Sequence, residues 1–265
     1  SIWVLSMKSD TFSVMIRNKR KGGNGLKKTL FGILLALCAV IFLFCGWKLY
    51  QYYHAYHQAE TEYNEIQKDA SSSEEEGKID FQELRKINKD VVGWVRADGT
   101  KIDYPIVKSH DNEEYLSHTF QGTENRSGAI FMDKNCSSTF DSDNNVIYGH
   151  HMRDGSMFAD LLKFREESFL KENQEIIVYT PEKTLHLKVI SAYAAGGDTL
   201  IPVTFASQEK KEEYISKILR QSDISADISE EDQKKIGKLY TFVTCSYEEE
   251  NNRTFVHAVE SDDIT

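Results

Sequence analysis

The chain has 265 residues, of which 40% are apolar, and it carries a formal net charge of −10 at pH 7. This length and apolar content are enough for one sizeable folded domain with additional segments. The sequence shows no phosphate-binding loop, no basic face and no His/Cys cluster with metal-ligand spacing, so nucleotides, nucleic acids and metals are poorly supported as ligands. We therefore expect no cofactor, no metal and no nucleic acid partner.

An uncharged segment separates a basic end of the chain from an acidic remainder. Ser1–Lys28 carry seven Lys or Arg and one acidic residue, whereas Gln51–Thr265 carry 24 basic and 41 acidic residues. Leu30–Trp47 hold no charged residue over 18 positions, and a helix of that length spans roughly 27 Å, close to the thickness of a bilayer's hydrocarbon core. A core helix would show a polar stripe and a signal peptide a shorter apolar run, so an uncleaved anchor is favoured.

This pattern predicts four parts of the chain. Residues 1–28 form a basic cytoplasmic tail, 29–50 a transmembrane anchor, 51–78 a polar stalk and linker, and 79–265 an extracytoplasmic domain. The orientation follows from the positive-inside rule, because the basic residues precede the apolar segment. The acidic, Ser-rich sequence of Ser71–Gly77 is typical of a flexible linker.

The extracytoplasmic domain is predicted to be mainly β, with a few helices. The predicted strands are Val91–Val107 with a break at Asp98-Gly99, Gly128–Asp133, Val146–Tyr148, Glu175–Tyr179, Leu185–Ala195, Leu239–Cys245 and Thr254–Val259. The predicted helices are Phe81–Ile87, Asp111–His118, Ser156–Phe164 with Ser156 as its cap, and Ser207–Gln221. Seven or eight strands with peripheral helices indicate a barrel.

The last two predicted strands bring a cysteine close to an arginine. The polar run EEENN between them cannot continue a buried strand, so the two strands form an antiparallel hairpin. If the turn centres near Glu249, Cys245 and Arg253 lie opposite or nearly opposite each other. Because the thiolate is the reactive form of cysteine, a thiol beside a fixed positive charge is a candidate nucleophile.

A proton carrier for this nucleophile is present upstream, in the sequence NNVIYGHH. Gly149 follows a predicted strand end, and a sharp exit there presents His150 at the edge of the sheet. Taken singly, Cys245 is explained by core packing, His150 by a loop and Arg253 by a solvated strand. Their order on separate strands favours a shared site.

YGHH, TFVTC and an arginine eight residues after the cysteine resemble the signature of the sortase family. The segment from about Phe81 to Val259 is similar to a class B sortase, a membrane-anchored cysteine transpeptidase of Gram-positive bacteria. Phe242 replaces the usual Leu of the Thr-Leu-x-Thr-Cys motif, which keeps a large apolar side chain. The helix at Ser207–Gln221 also fits class B rather than the shorter class A. The resemblance implies a closed, sortase-like β-barrel of seven to eight strands.

The resemblance also implies catalytic roles for His150, Cys245 and Arg253, although the sequence alone does not exclude His151 in place of His150. The sulfur would attack the carbonyl of a Thr in a C-terminal sorting signal, His150 would protonate the departing amine, and Arg253 would stabilise the oxyanion or hold the substrate carbonyl. The implied partners are surface proteins with a sorting signal, a peptidoglycan precursor or cell-wall peptide amine, and the lipid bilayer.

Four residues are predicted to bind the substrate. Asn112 and Leu116 are four apart and share a face of the predicted helix, and residues at this spacing line the peptide groove in the class B family. Tyr148 and Thr244, next to the predicted catalytic residues, complete the set. A helix cap and a core leucine would explain Asn112 and Leu116 equally well.

Cysteine usage and chain order limit the alternatives. Cys38 and Cys45 lie in the apolar segment, and Cys136 lies in a polar loop, so we expect no structural disulfide with Cys245. A papain-like peptidase would use the same residue types to hydrolyse a peptide, but such chains usually place the cysteine before the histidine. A non-catalytic, anchored β domain that binds a surface partner is the third possibility.

Overall fold

The computed structural model describes residues 6–70, 78–226, 228–245 and 251–264, with the backbone alone at 6–24, 26 and 245. The chain divides into two compact units, Ser1–Ala55 and Tyr56–Thr265. In the first unit the apolar side chains are exposed, for example 77% of Phe42 and 70% of Leu43. Its helix is long and apolar enough to cross a membrane, which is consistent with a single-pass anchor.

The helices and strands of the described chain have the following bounds. The helices are α1 (Ser6–Ala70), α2 (Phe81–Ile87), α3 (Glu114–Ser117), α4 (Glu167–Leu170), α5 (Gln208–Gln221) and α6 (Glu230–Lys235), with 3-10 helices at Ala159–Arg165 and Ser261–Asp263. The strands are β1 (Val91–Arg96), β2 (Asp103–Val107), β3 (Ile130–Met132), β4 (Asn144–Tyr148), β5 (Glu175–Tyr179), β6 (Thr184–Gly196), β7 (Leu239–Cys245) and β8 (Asn252–Glu260).

The eight strands of the described chain close into one barrel. Their order is β1-β2-β3-β4-β7-β8-β6-β5, and β5 pairs back onto β1. The β2–β3 and β4–β7 pairs are parallel, so a long connection containing β5, β6, α5 and α6 separates β4 from β7. The predicted closed barrel of seven to eight strands with peripheral helices is confirmed.

Large apolar side chains fill the barrel and explain why TFVTC tolerates a phenylalanine. Phe242 is fully buried and meets Phe158 edge-on, with 6.1 Å between ring centroids. Because this position faces the core, it requires an apolar side chain of sufficient size, and Phe meets that requirement as well as Leu. The presence of Phe242 where the motif usually has Leu therefore changes the packing inside the barrel.

Two predicted helices differ from the structure. The helix expected over Asp111–His118 is limited to α3, because the Asp111 carboxylate accepts hydrogen bonds from the backbone N–H groups of Glu113 and Glu114 at 2.9 and 3.0 Å. Asn112 therefore precedes the helix. The helix expected over Ser156–Phe164 is a 3-10 helix that begins at Ala159, and the Ser156 hydroxyl donates to Asp154 at 2.6 Å instead of capping it.

The second compact unit begins at Tyr56, before the predicted domain boundary at Ile79. Tyr63, Ile66 and Ala70 are buried, and the Tyr63 and Tyr104 rings meet edge-on with centroids 5.3 Å apart. These apolar residues recur every three or four positions, which is a helical face that packs on the barrel. This part of the predicted stalk is thus built into the domain, and the predicted linker at 71–77 lies outside the described residues.

Cys136 is a buried free thiol, although its surrounding sequence is polar. Its sulfur contacts the backbone of β4, donating to the Asn144 carbonyl at 3.5 Å and accepting from Val146 N–H at 3.3 Å. Burial raises the pKa of this thiol, so it remains protonated and unreactive. Cys136 is therefore a core residue, despite the polar sequence around it.

Candidate active site

Neighbouring strands β4, β7 and β8 carry the three predicted catalytic residues. Tyr148 pairs with Val243 in the parallel β4–β7 register, and Gly149 N–H donates to the Val243 carbonyl at 3.1 Å. Two residues beyond this pair lie His150, after the end of β4, and Cys245, whose backbone pairs with Arg253 across β7 and β8. The three residues therefore lie at the same end of neighbouring strands, which are about 4.8 Å apart.

A pocket of about 230 Å³ lies at this edge. It is lined by Asn112, Leu116, Phe131, Tyr148, Gly149, His150, Val243, Thr244 and Arg253. The structure thus brings His150 and Arg253 together with all four predicted substrate-binding residues. The side chain of Cys245 lies outside the described residues, but the two residues before it line the pocket.

The ring orientation of His150 is set by a backbone carbonyl. Its Nε2 lies 2.7 Å from the Leu116 oxygen, and because a carbonyl only accepts, Nε2 carries the hydrogen. Nδ1 is then the nitrogen that can take up a proton. His151 instead pairs through its backbone with Met157 and does not line the pocket.

Gly149 has a packing role beside His150. A Cβ at this position would lie 2.4 Å from Ile130 Cδ1 and 2.7 Å from Phe158 Cδ2. No side chain fits there without displacing core atoms. The glycine therefore allows the chain to leave β4 close to the core and to hold His150 at the edge of the pocket.

Asp133 was not predicted from the sequence, yet it organises one wall of the pocket. Its carboxylate accepts from Asn112 Nδ2 at 2.8 Å and from the Tyr148 hydroxyl at 3.2 Å. It also accepts from both the backbone and the side-chain nitrogen of Asn135. The one sequence signal for this role is its place at the end of the strand GAIFMD, which ends next to β4.

The charges around Tyr148 keep its hydroxyl protonated. Burial, followed by the negative charge of Asp133, raises the pKa of Tyr148 well above its ordinary value, although Arg253 acts in the opposite direction. The phenol is therefore a hydrogen-bond donor at neutral pH. Tyr148 and Asn112 together hold Asp133, which fixes their positions in the wall.

Thr244 is a buried residue in the lining of the pocket. It is 2% exposed, and its Oγ1 is buried without a hydrogen-bond partner among the described residues. A buried hydroxyl without a partner costs about 1–3 kcal/mol. Thr244 therefore contributes to the shape of the pocket wall, next to Cys245 in the chain.

The described residues show no metal-binding arrangement. No group of three or more His, Cys, Asp or Glu side chains in this part of the chain could hold a metal ion. The pocket offers an imidazole, a guanidinium, amide and hydroxyl groups, and an apolar floor that includes Leu116 and Phe131. These groups suit proton transfer and the stabilisation of a negative charge on a peptide carbonyl.

Comparison with known proteins agrees with this geometry. Residues 95–261 match the Sortase domain family. The chain is 32% identical over 231 residues to sortase B of Listeria monocytogenes, covering 84% of this chain and 93% of that protein. The solved structure of sortase B from Bacillus anthracis is 29% identical, with a TM-score of 0.70, and covers 78% of this chain and 98% of its own.

A second solved structure is a substrate complex of sortase B from Staphylococcus aureus. It is 30% identical to this chain, with a TM-score of 0.69 over 77% of this chain and 96% of that one. The family match covers more than half of the chain, and the relative from Listeria monocytogenes is matched over nearly its whole length. The chain therefore belongs to the sortase family, as a class B member and a cysteine transpeptidase.

Proposed function

We propose that this protein cleaves a C-terminal sorting signal after a Thr and transfers the surface protein that carries it to a cell-wall peptide amine. The observation that supports this most strongly is that His150 and Arg253 line one pocket, while the backbone of Cys245 pairs with Arg253 on the neighbouring strand. Sortase B from Staphylococcus aureus, a relative of the same fold, has been solved as a substrate complex, which supports substrate binding by this fold.

The first half of the reaction forms a thioester on Cys245. The Cys245 thiol first gives its proton to His150 Nδ1. The thiolate then attacks the Thr carbonyl carbon, and the oxygen gains a negative charge that the Arg253 guanidinium stabilises. When this intermediate collapses, the C–N bond breaks and the proton on His150 Nδ1 moves to the departing amine. His150 is then neutral and can accept a proton in the second half.

The second half transfers the acyl group to an amine. The incoming amine of the cell-wall peptide attacks the thioester carbonyl while His150 Nδ1 takes its proton. The C–S bond breaks, and the sulfur leaves as the thiolate beside Arg253. The product is an amide, and the proton on His150 Nδ1 returns to the Cys245 sulfur, which restores the starting protonation states of both residues.

The walls of the pocket suggest how the sorting peptide is held. Leu116 is 44% exposed and supplies an apolar surface, and Thr244 forms part of the pocket lining. The Asn112 side chain uses one amide hydrogen on Asp133 and its oxygen on Lys134 N–H, which leaves the second amide hydrogen for a peptide carbonyl. Tyr148 holds the same wall through Asp133.

Anchoring places the reaction at the outer surface of the membrane. In this proposal the basic N-terminal tail is cytoplasmic, Leu30–Trp47 span the membrane once, and the barrel is extracytoplasmic. A secreted sorting signal and a lipid-linked wall precursor are both confined near the bilayer, so a tethered active site meets them at a raised effective concentration.

The test is a product analysis with the full chain in detergent micelles. A panel of sorting-signal pentapeptides is incubated with an amine acceptor, and mass spectrometry follows the thioester on Cys245 and the amide product. We expect Cys245→Ala to abolish the thioester and His150→Ala to reduce turnover about 10²- to 10⁴-fold. The matched controls Cys136→Ala and His151→Ala keep the activity.

The products distinguish the alternatives. Free acid as the sole product in the presence of the amine would favour a peptidase over a transpeptidase. Unchanged cleavage in Cys245→Ala and His150→Ala would remove the enzymatic proposal and favour a binding domain. Loss of activity in His151→Ala but not in His150→Ala would transfer the proposed proton-carrier role to the neighbouring histidine.

A further inference from the structure

Two side chains of the helix segment Tyr56–Ala70 hold the loop that follows α3. The Tyr63 hydroxyl donates to the Gly128 carbonyl at 2.8 Å and accepts from Phe120 N–H at 3.3 Å. The Glu62 carboxylate accepts from the Thr119 hydroxyl at 2.9 Å and from the backbone N–H of Gln121 at 3.0 Å. The helix thus makes four hydrogen bonds to one loop.

These side chains are buried parts of the second unit. Glu62 is 7% exposed and Tyr63 is 4% exposed. Burial, followed by the nearby Glu62, raises the pKa of Tyr63 well above its ordinary value, so the phenol remains a donor. Both carboxylate oxygens of Glu62 are used by the loop. A buried glutamate is rare unless its oxygens are bonded in this way.

Both ends of this loop adjoin His150. Leu116, in α3 directly before the loop, places its carbonyl 2.7 Å from His150 Nε2. The last part of the loop supplies Gly128, where the backbone φ is +57° and an added Cβ would lie 3.0 Å from His150 Cδ2. The two parts are joined by the hydrogen bond from Ala129 N–H to the Tyr115 carbonyl at 2.9 Å. The imidazole therefore lies against both ends of the loop that the helix holds.

We propose that Glu62 and Tyr63 are positioning residues for the reaction, acting on His150 through the loop between Leu116 and Gly128. The proposal rests on the proposed catalytic role of His150. When the loop is held, the Leu116 oxygen faces Nε2 and Nδ1 remains the proton-transfer nitrogen. When it is released, the imidazole loses its fixed acceptor and populates other orientations and the other tautomer.

If Glu62 and Tyr63 served only to pack the helix on the barrel, their substitution would have different consequences from those of a positioning role. Loss of packing alone would lower the stability of the fold and leave the turnover of folded molecules unchanged. A positioning role would lower kcat in molecules that are folded, because a displaced proton carrier acts in the reaction step and not in peptide binding. It would also change the state of the His150 ring, which simple packing would not.

The experiment compares Tyr63→Phe and Glu62→Gln with Gln67→Ala in the full chain in detergent micelles. Gln67 lies on the same helix, and its Nε2 donates to the Asp103 carbonyl of β2 at 2.8 Å. Kinetics with a cleaved sorting peptide give kcat and KM. Histidine ¹⁵N NMR, assigned through His150→Ala, gives the tautomer of the ring.

We expect Tyr63→Phe and Glu62→Gln to lower kcat about 10- to 100-fold and to leave KM within about twofold. The His150 nitrogen signals should move from a fixed Nε2–H tautomer to an exchanging mixture. Gln67→Ala should leave kcat and these signals as in the unmodified chain. Thr119→Val, which removes one partner of Glu62 and keeps the side-chain shape, should reproduce a smaller loss of kcat.

Unchanged kcat and unchanged His150 signals in both helix variants would overturn the proposal. An equal loss of kcat in Gln67→Ala would also overturn it, because that result would indicate a general effect of packing the helix on the barrel. If Tyr63→Phe fails to fold, Glu62→Gln and Thr119→Val decide the question by the same readouts. A chain that cleaves no sorting peptide but changes its His150 signals in Tyr63→Phe would refute the proposed function and retain the positioning contact.

Discussion

The carbonyl oxygen of Leu116 takes the place that a carboxylate often has beside a catalytic histidine. A carboxylate would stabilise the imidazolium by charge, whereas a carbonyl orients the ring and fixes the tautomer with a smaller electrostatic effect. His150 therefore depends on geometry for its proposed role. The positive charge in the proposed site is supplied separately, by Arg253 at the pocket.

The proposed role of Arg253 predicts that its shape matters as well as its charge. Arg253→Lys keeps a positive charge but replaces a planar fork with a single ammonium group. We expect kcat for peptide cleavage to fall about 10²-fold, the cost of removing one oxyanion donor. Arg165→Lys, in a surface ion pair with Asp223, is the control and should keep its kcat. Equal rates for the two variants would contradict an oxyanion role.

A buried histidine outside the pocket predicts the pH dependence of stability. His257 is fully buried, and burial lowers its pKa to about 3. The unfolded chain takes up a proton near pH 6.5 that the folded chain does not take up until about pH 3. Folded stability is therefore complete above pH 6.5 and falls as the pH drops, by about 1.4 kcal/mol per unit from this group.

Urea denaturation of the unmodified chain and of His257→Gln between pH 7 and pH 4 measures this contribution. The variant lacks the titrating group, so its free energy of unfolding should fall less steeply with decreasing pH. Parallel curves for the two proteins would show that His257 is not the source of the dependence.

At the scale of elements, hydrogen bonds tie together the strands that carry the site. The Thr241 hydroxyl donates to Asn144 Oδ1 at 2.8 Å, so it can only accept from His257 Nδ1 at 2.9 Å. The other ring nitrogen of His257 then accepts from the Tyr193 hydroxyl at 3.2 Å. Asn144 Nδ2 donates onward to the Pro202 carbonyl at 2.9 Å. β4, β7, β8 and β6 are thereby connected below the pocket.

Two buried threonines on neighbouring strands predict opposite effects of the same substitution. Thr241→Val leaves two buried groups without partners and should destabilise the fold by about 1–3 kcal/mol for each. The Thr254 hydroxyl has no partner among the described residues and is fully buried, so Thr254→Val should stabilise the fold by about 1 kcal/mol. Urea midpoints measure both, and a shift in the same direction for the two variants would contradict this account.

Elements with a strong local pattern were predicted well from the sequence. α5 begins after Ser207, whose hydroxyl accepts from Lys210 N–H, and β7 has the predicted limits because its β-branched and aromatic residues end at a polar run. The turn that follows, predicted near Glu249, lies outside the described residues. Local pattern could not show Asp133 in the pocket wall, because its partners Asn112 and Tyr148 come from other elements.

The polar composition of the segment before Ile79 concealed its role. Its apolar residues are few, and their helical spacing becomes informative once the barrel surface that covers them is known. The Leu116 carbonyl is likewise invisible to sequence reasoning, since any residue has a carbonyl and only the fold aims it at His150. The site residues were therefore predictable as residue types, whereas the backbone that orients them was not.

At the scale of the whole molecule, the position of the domain boundary predicts which fragment is stable. A fragment from Tyr56 contains Tyr63 and Ile66, which are 4% and 1% exposed, whereas one from Ile79 lacks them. Two large buried side chains contribute roughly 3–6 kcal/mol, a large part of a typical domain's 5–15 kcal/mol. We expect the shorter fragment to unfold at much lower urea concentration, and equal urea midpoints would contradict this.

The parallel register of β4 and β7 limits how related chains can change in length. Asn144 pairs with Leu239, and Tyr148 pairs with Val243. The separation in sequence between Asn144 and His150 therefore equals the separation between Leu239 and Cys245. Loops outside this stretch can gain or lose residues freely. A deletion within one of the two strands would misalign the histidine and the cysteine by one residue step, and only a matching deletion in its neighbour would restore their alignment.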